Sequence, residues 1–396
     1  MIHIILSFAM NLQVKVSIYN YQLYRHIEAP GWKLSWSWKG DEVIWYIGGA
    51  EATEQGDCSR IRAATLPHTC EKKPVIIDLM PGALYNKQVA NCCRGGVLTS
   101  TTQDSSNYLS AFQMNVGGIS IDINKTDELM PANFSIGVPG YTCSDPFQVD
   151  PTRFLQPGTR RYIQAFRTWN VSCTYSQFRA SPSPTCCVLL SAFYNENIVP
   201  CPLCSCGCRD LPGTKCVSQD ETPPLLELPH SDLEAPTPMV RCSRHMCPIR
   251  VHWHIKRVKI TVTNLNFAKN YSDWNLVVQH PNMKSVTQVF SFNYVPLDQY
   301  GHINESGVFF GIQSFNDLLL QSGETGNVQT EMLLHKDAGI FTFREGWGFP
   351  RKISFNGDEC VMPPPDEYPR LPNGGLRFKS RPWMGFFSSL LLVLMI

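Results

Sequence analysis

The cysteines are the residues of this chain with the most chemistry to offer, and there are 16 of them. Cys186 and Cys187 are adjacent, and Cys201, Cys204, Cys206 and Cys208 follow closely. Adjacent cysteines cannot easily share one disulfide or one metal, so each is expected to reach a different partner. Cys216, Cys242, His245 and Cys247 come next, then His252 and His254, which would share a strand face. Zinc uses such ligands, but its strong signature, two separated Cys-x-x-Cys pairs, is absent. His252 and His254 flank Trp253 and read as a satisfied strand face rather than as ligands. The expectation is a disulfide framework made in an oxidising compartment, with no metal and no other cofactor. It would use Cys58, Cys70, Cys92, Cys93, Cys143, Cys173, Cys186, Cys187, Cys201, Cys204, Cys206, Cys208, Cys216, Cys242, Cys247 and Cys360. Spacing alone leaves the connectivity open.

The second group is aromatic. Trp32, Trp36, Trp38 and Trp45 lie close together, with Tyr19, Tyr21, Tyr24 and Tyr46 nearby. Trp36 and Trp38 are two apart, so on a strand they share a face. Pyranose sugars present flat faces rich in C–H groups. Coplanar Trp or Tyr rings match those faces by dispersion and hydrophobic contact, while hydrogen bonds to hydroxyls set orientation. Packing in a sandwich core is the competing reading for every one of these rings.

Familiar catalytic patterns are missing: no Gly-x-Ser-x-Gly elbow, phosphate loop, dinucleotide fingerprint or His-Glu-x-x-His. Asp358-Glu359 is an acidic pair, but neighbours on an extended chain point to opposite sides, so it reads as a charged loop. A non-enzyme is expected. The formal net charge of +1 gives no electrostatic case for nucleic acid as a partner.

The elements that must position these groups read as strands. Val14, Val16 and Ile18 alternate with polar residues, and Glu42–Ile47 and Pro74–Leu79 are further short strand-like runs. Turn signals such as Pro81-Gly82 and Pro139-Gly140 separate such runs. The fold class expected is mainly β, an antiparallel β-sandwich architecture with a disulfide-rich middle segment. Residues 1–180 form an N-terminal sandwich, 181–216 a cysteine-rich segment, 217–240 a Pro-rich acidic linker, 241–362 a C-terminal β domain and 363–373 a Pro-rich stem. Val251, Trp253 and Ile255 alternate on odd positions, whereas Val258, Ile260 and Val262 alternate on even ones. A strand cannot change face without a bulge or turn, so Lys256-Arg257 is a bulge or the scar of a skipped segment.

Targeting signals frame the chain. Trp383–Ile396 is almost wholly apolar but short for a bilayer span. A polar spacer, 376–382, precedes it, and before that stand Asn373, Gly374 and Gly375. This is the layout of a glycosylphosphatidylinositol signal, with Asn373 as the attachment residue and 374–396 removed. Sequons at Asn124, Asn133, Asn170, Asn270 and Asn304 also point to secretion. Residues 1–9 are apolar but lack a basic n-region, so a signal peptide and a first strand are expected to be missing from this chain.

Several of these stretches resemble one family. Thr168-Trp169-Asn170-Val171-Ser172-Cys173-Thr174-Tyr175-Ser176-Gln177, Cys186-Cys187-Val188 with Ser191-Ala192-Phe193-Tyr194-Asn195, and Gln279-His280-Pro281-Asn282 are similar to signatures of the plant COBRA family. The run from Tyr24-Arg25-His26 through Trp36-Ser37-Trp38 to Trp45 also resembles that family's N-terminal region, which has been likened to a cellulose-binding module. The resemblance extends from about Gln13 to Asn373. It departs at the N-terminus, in the short 256–257 region, and at Val188-Leu189-Leu190, where the family usually has Val-Ser-Phe. It implies a glycolipid-anchored protein on the outer leaflet of the plasma membrane, or shed into the wall, that binds cellulose or a related β-glucan. Trp32, Trp36, Trp38 and Trp45 would be its sugar platform. Rival readings are an extracellular glycan-processing enzyme and a cell-surface adhesion or receptor ectodomain.

Overall fold

The computed structural model describes residues 1–8, 13–118, 130–155, 161–180, 184–192, 195–199, 215–217, 239–241, 247–255, 258–266, 269–297, 305–323, 325–335 and 348–369. The chain is mainly β, as expected, and most of its strand pairs are antiparallel.

In the first half two sheets face each other. The larger runs in the order Phe147–Val149, Arg167–Tyr175, Ile2–Phe8, Gln13–Asn20, Leu109–Gly117, Val43–Gly48, with Tyr141–Cys143 also paired to Arg167–Tyr175. The smaller runs Ala50–Ala52, Val75–Asp78, Lys33–Ser37, Ala132–Ser135. Alternation fixes which side chains meet between them. Ile4 is paired with Val171 on one side and Ile18 on the other, and all three are fully buried. Phe112, Met114, Leu34, Ile76 and Phe134 close the same core. Ile2–Phe8 thus occupies an inner position of the sheet, and Ile2, Ile4 and Leu6 alternate inward as a strand should.

Gly31 joins the smaller sheet to the loop after Val75–Asp78. It sits at φ +87°, and a Cβ there would come within 2.0 Å of the Gly95 carbonyl oxygen, so only glycine fits. The buried Asp78 carboxylate accepts from the backbone N–H groups of Cys93, Arg94 and Gly96, which pins that loop.

The second half is another two-sheet unit around its own core. One sheet runs Asn195–Val199, Cys186–Ala192, Ile249–Ile255, Val258–Asn264, Asn327–Leu334, Val286–Val289. The other runs Phe292–Leu297, Ser306–Gly311, Asn275–Gln279, Lys352–Phe355, Asp358–Glu359. The cysteine-rich segment therefore opens with a core strand, Cys186–Ala192, whose Val188 and Leu190 are fully buried. That strand pairs in parallel with Ile249–Ile255, a departure from the antiparallel expectation. Parallel neighbours need a crossover, and the chain between residues 192 and 249 supplies it.

The change of phase at Lys256-Arg257 has a simple cause. Ile249–Ile255 and Val258–Asn264 are antiparallel partners, with Val251 opposite Val262, Trp253 opposite Ile260 and Ile255 opposite Val258. An odd position always meets an even one in this register, so both apolar sets face the same core. Residues 256 and 257 themselves lie outside the described residues.

Candidate functional site

The outward face of the larger first-half sheet carries an aromatic cluster. Opposed residues of an antiparallel pair share a face. His3 is opposite Tyr19 and Ser172, and Asn170 is opposite Ile5, so all of them point away from the core. Tyr21 continues the row past the strand end. The Tyr19 and Tyr21 rings are parallel to within 2°, with centroids 5.4 Å apart. Tyr108 lies 6.1 Å from Tyr19 and 6.0 Å from Tyr21, and His3 meets Tyr21 edge-on at 5.4 Å. Tyr21 is exposed, whereas His3, Tyr19 and Tyr108 are half-buried. Burial and the neighbouring phenols raise the Tyr19 and Tyr21 pKa values, so both stay protonated and offer O–H groups beside apolar ring faces. Rings edged by hydroxyl and imidazole groups are the chemistry that recognises a sugar.

A second aromatic patch lies at the other end of this face. Val43–Gly48 pairs with Leu109–Gly117 through a bulge between Ile44 and Tyr46, which turns out the extra residue, Trp45. The indole lies over Gly117, where a Cβ would meet its Nε1 at 2.5 Å. Trp45 is 37% exposed and Tyr46 49%. Tyr46 is opposite Asn115, six residues along the strand from Leu109, the partner of Tyr19, which separates the patches by about 20 Å. The hairpin Arg153–Leu155/Tyr162–Gln164 covers the sheet between them: Thr152 bonds Ser7, and Gln113 donates to the Leu155 carbonyl.

Trp32, Trp36 and Trp38 are elsewhere, and the expected platform is corrected on this point. They are 1%, 1% and 3% exposed, between the two sheets. Trp36 packs edge-on to Trp38 at 5.4 Å, and Trp32 stacks on Phe112 at 5.9 Å. Trp36 and Trp38 do share a face, but it is the inner one. Of the four expected rings, only Trp45 reaches solvent. The pattern around Val14, Val16 and Ile18 held the missing information: if the even residues face the core, Tyr19 faces out. Nothing in the local sequence brings Tyr108 or His3 beside it, because both arrive through strand pairing.

Among the described residues the disulfides are Cys58–Cys70, Cys92–Cys93, Cys143–Cys173 and Cys186–Cys360, and Cys187 is disulfide-bonded as well. Cys92–Cys93 corrects the expectation that adjacent cysteines reach different partners; Cys186 does reach a distant one. Cys247 is buried against Cys187. Cys201, Cys204, Cys206, Cys208 and Cys242 lie outside the described residues, as do Asn124, Asn304, Asn373 and 374–396. Cys216 falls in the short strand Lys215–Val217. Asn133 and Asn270 are exposed, and Asn170 is half-buried. His252 and His254 both hydrogen-bond the Ser191 hydroxyl, at 2.7 and 2.8 Å. Burial and the adjacent His254 push the His252 pKa down to about 4, which keeps that ring neutral in mildly acidic water.

The acidic pair is not a plain loop. Asp358 is a clasp between the halves. It pairs with Arg25 at 2.7 Å and accepts from the Tyr175 hydroxyl at 2.8 Å, while the Arg25 guanidinium lies 3.4 Å above the Tyr175 ring. Glu28 bonds Asn356 and Lys269 across the same junction. A cleft of about 500 Å³ lies there, lined by Arg25, Glu28, Tyr141, Tyr175, Lys269 and Asp358, and these charges largely satisfy one another.

Residues 12–176 match the COBRA N-terminal domain, and residues 185–369 match the COBRA family C-terminal domain. The chain belongs to the COBRA family. It is 59% identical over 368 residues to COBRA-like protein 6 of Arabidopsis thaliana, covering 91% of this chain and 80% of that protein. COBRA-like protein 7 of Oryza sativa subsp. japonica is 58% identical over 376 residues, covering 91% and 84%. Protein COBRA of Arabidopsis thaliana is 50% identical over 395 residues, covering 96% and 85%. No solved structure matches the chain. COBRA membership supports a role in the plant cell wall.

Proposed function

We propose that this COBRA-family chain is a non-enzymatic, extracellular protein that binds cellulose or a related β-glucan. It would assist the deposition and orientation of microfibrils during oriented cell expansion. The observation that carries the reading is the outward cluster of Tyr19, Tyr21 and Tyr108, edged by His3. Rings on a rigid, disulfide-tied sandwich are held in place before the ligand arrives, which limits the ordering cost of binding. Trp45 and Tyr46 offer a second contact on the same face. A glycolipid anchor at Asn373 would hold many copies at the outer leaflet, so weak individual contacts add up along one polymer.

The test uses the secreted chain stopped before Asn373 and mixed with insoluble cellulose. Depletion from solution without release of reducing sugar is the expected result. Sugar release would replace this reading with a glycan-processing enzyme, and no depletion on cellulose or related β-glucans would sink the glucan partner.

A further inference from the structure

We propose that Asn170 carries an N-linked glycan that screens the tyrosine cluster, so that glucan binding depends on how far the glycan is trimmed. The proposal rests on the glucan-binding reading and adds a control to the same face.

Asn170-Val171-Ser172 is a sequon in Arg167–Tyr175, an inner strand of the larger sheet. Trp169 and Val171 point into the core, so Asn170 points out, opposite Ile5 on one side and Phe147 on the other. Its Nδ2 lies 3.1 Å from His3 Nδ1, its Oδ1 lies 3.3 Å from the same atom, and the Ser172 hydroxyl lies 3.5 Å from it. His3 in turn meets Tyr21 edge-on. The sequon is therefore one side chain away from the cluster.

The surroundings close one of the directions a glycan could take. Two residues away on the same face, Thr168 is fully buried and bonded to Thr152, at the foot of the Arg153–Gln164 hairpin. That side is roofed. The open sides lead over His3, Tyr21 and Tyr19 and over Phe147, which is exposed on the edge strand. The other sequons among the described residues lie elsewhere: Asn133 is in the smaller sheet and Asn270 is in the second half. Sugars on them leave the cluster open.

The chemistry is compatible with the fold. Transfer from a lipid-diphosphate-linked oligosaccharide forms a bond between Nδ2 and the anomeric carbon. It breaks that carbon's bond to the diphosphate oxygen, and the lipid diphosphate leaves with the electron pair. Nδ2 gives up one proton, which the departing diphosphate takes up, and keeps the other for its contact with His3 Nδ1. Transfer takes place on the unfolded chain, so half-burial in the finished sheet does not prevent it. What remains is a bulky hydrophilic group on the face.

The experiment uses the chain secreted by a plant host and maps its glycopeptides by mass. It then measures depletion by insoluble cellulose before and after enzymatic glycan trimming. Asn170→Gln and Ser172→Ala are run beside it; the second keeps the Asn170 side chain against His3, and Asn270→Gln serves as control. Occupancy at Asn170 is expected, with affinity rising about tenfold on trimming and in both sequon variants but not in the control. An empty Asn170 in a chain glycosylated elsewhere overturns the proposal, as does occupancy whose removal leaves affinity unchanged. If parent, trimmed and variant proteins all ignore cellulose, the glucan reading itself falls and the screen falls with it.

Discussion

Replacing Trp36 by alanine is expected to cost the first half roughly 3–5 kcal/mol of stability, the usual range for emptying a large aromatic from a core. Trp36 is 1% exposed and touches Trp38 and Phe134, with ring centroids 5.4 and 6.2 Å away. Its removal leaves a hole between two sheets that strand hydrogen bonding prevents from collapsing. The unfolding temperature should fall by roughly 10 °C, which calorimetry reads directly. Trp45→Ala is the contrast: its ring sits on the surface over Gly117, and a change within about 1 kcal/mol is expected. Equal stability of Trp36→Ala and the parent would contradict the placement of Trp36. Any loss of cellulose binding by a Trp36 variant would report unfolding rather than a missing sugar-binding ring.

Removing the Cys186–Cys360 link, as Cys186→Ser with Cys360→Ser, should be the most damaging change in the second half. The bond closes a loop of sequence separation 174, for which chain entropy predicts about 5 kcal/mol. It also joins the two sheets, because Cys186 opens one sheet and Cys360 follows the last strand of the other. Denaturant unfolding and limited proteolysis should find this half largely unfolded. Cys92→Ser with Cys93→Ser should cost about 1 kcal/mol or less, since neighbours in sequence close no chain loop. The reverse order of effects would show that the second half does not depend on its inter-sheet link.

The strands were legible because their signal is local. Val14, Val16 and Ile18 announce a half-buried strand by alternation, whereas the odd-to-even switch across 256–257, read as a bulge or a skipped segment, separates two antiparallel partners. Burial of the tryptophans was not legible. A Trp-x-Trp pair shows that two rings share a face but not which face, and that choice is made by a partner sheet distant in sequence. The same limit hid the clasp: Arg25 and Asp358 are 333 residues apart, and only the docking of the Asn356–Glu359 turn against Tyr175 gives the acidic pair its role. The cysteines announced a framework, while the pairing of Cys92 with Cys93 depended on the loop that Asp78 holds.

The most direct measurement is a binding isotherm on insoluble cellulose for the parent and for the double variant Tyr19→Ala, Tyr21→Ala, with thermal unfolding to establish that both are folded. Removing both rings from the outward face predicts binding weaker by about ten- to a hundredfold at nearly unchanged stability. A folded double variant that binds as tightly as the parent would contradict the assignment of this face as the sugar site.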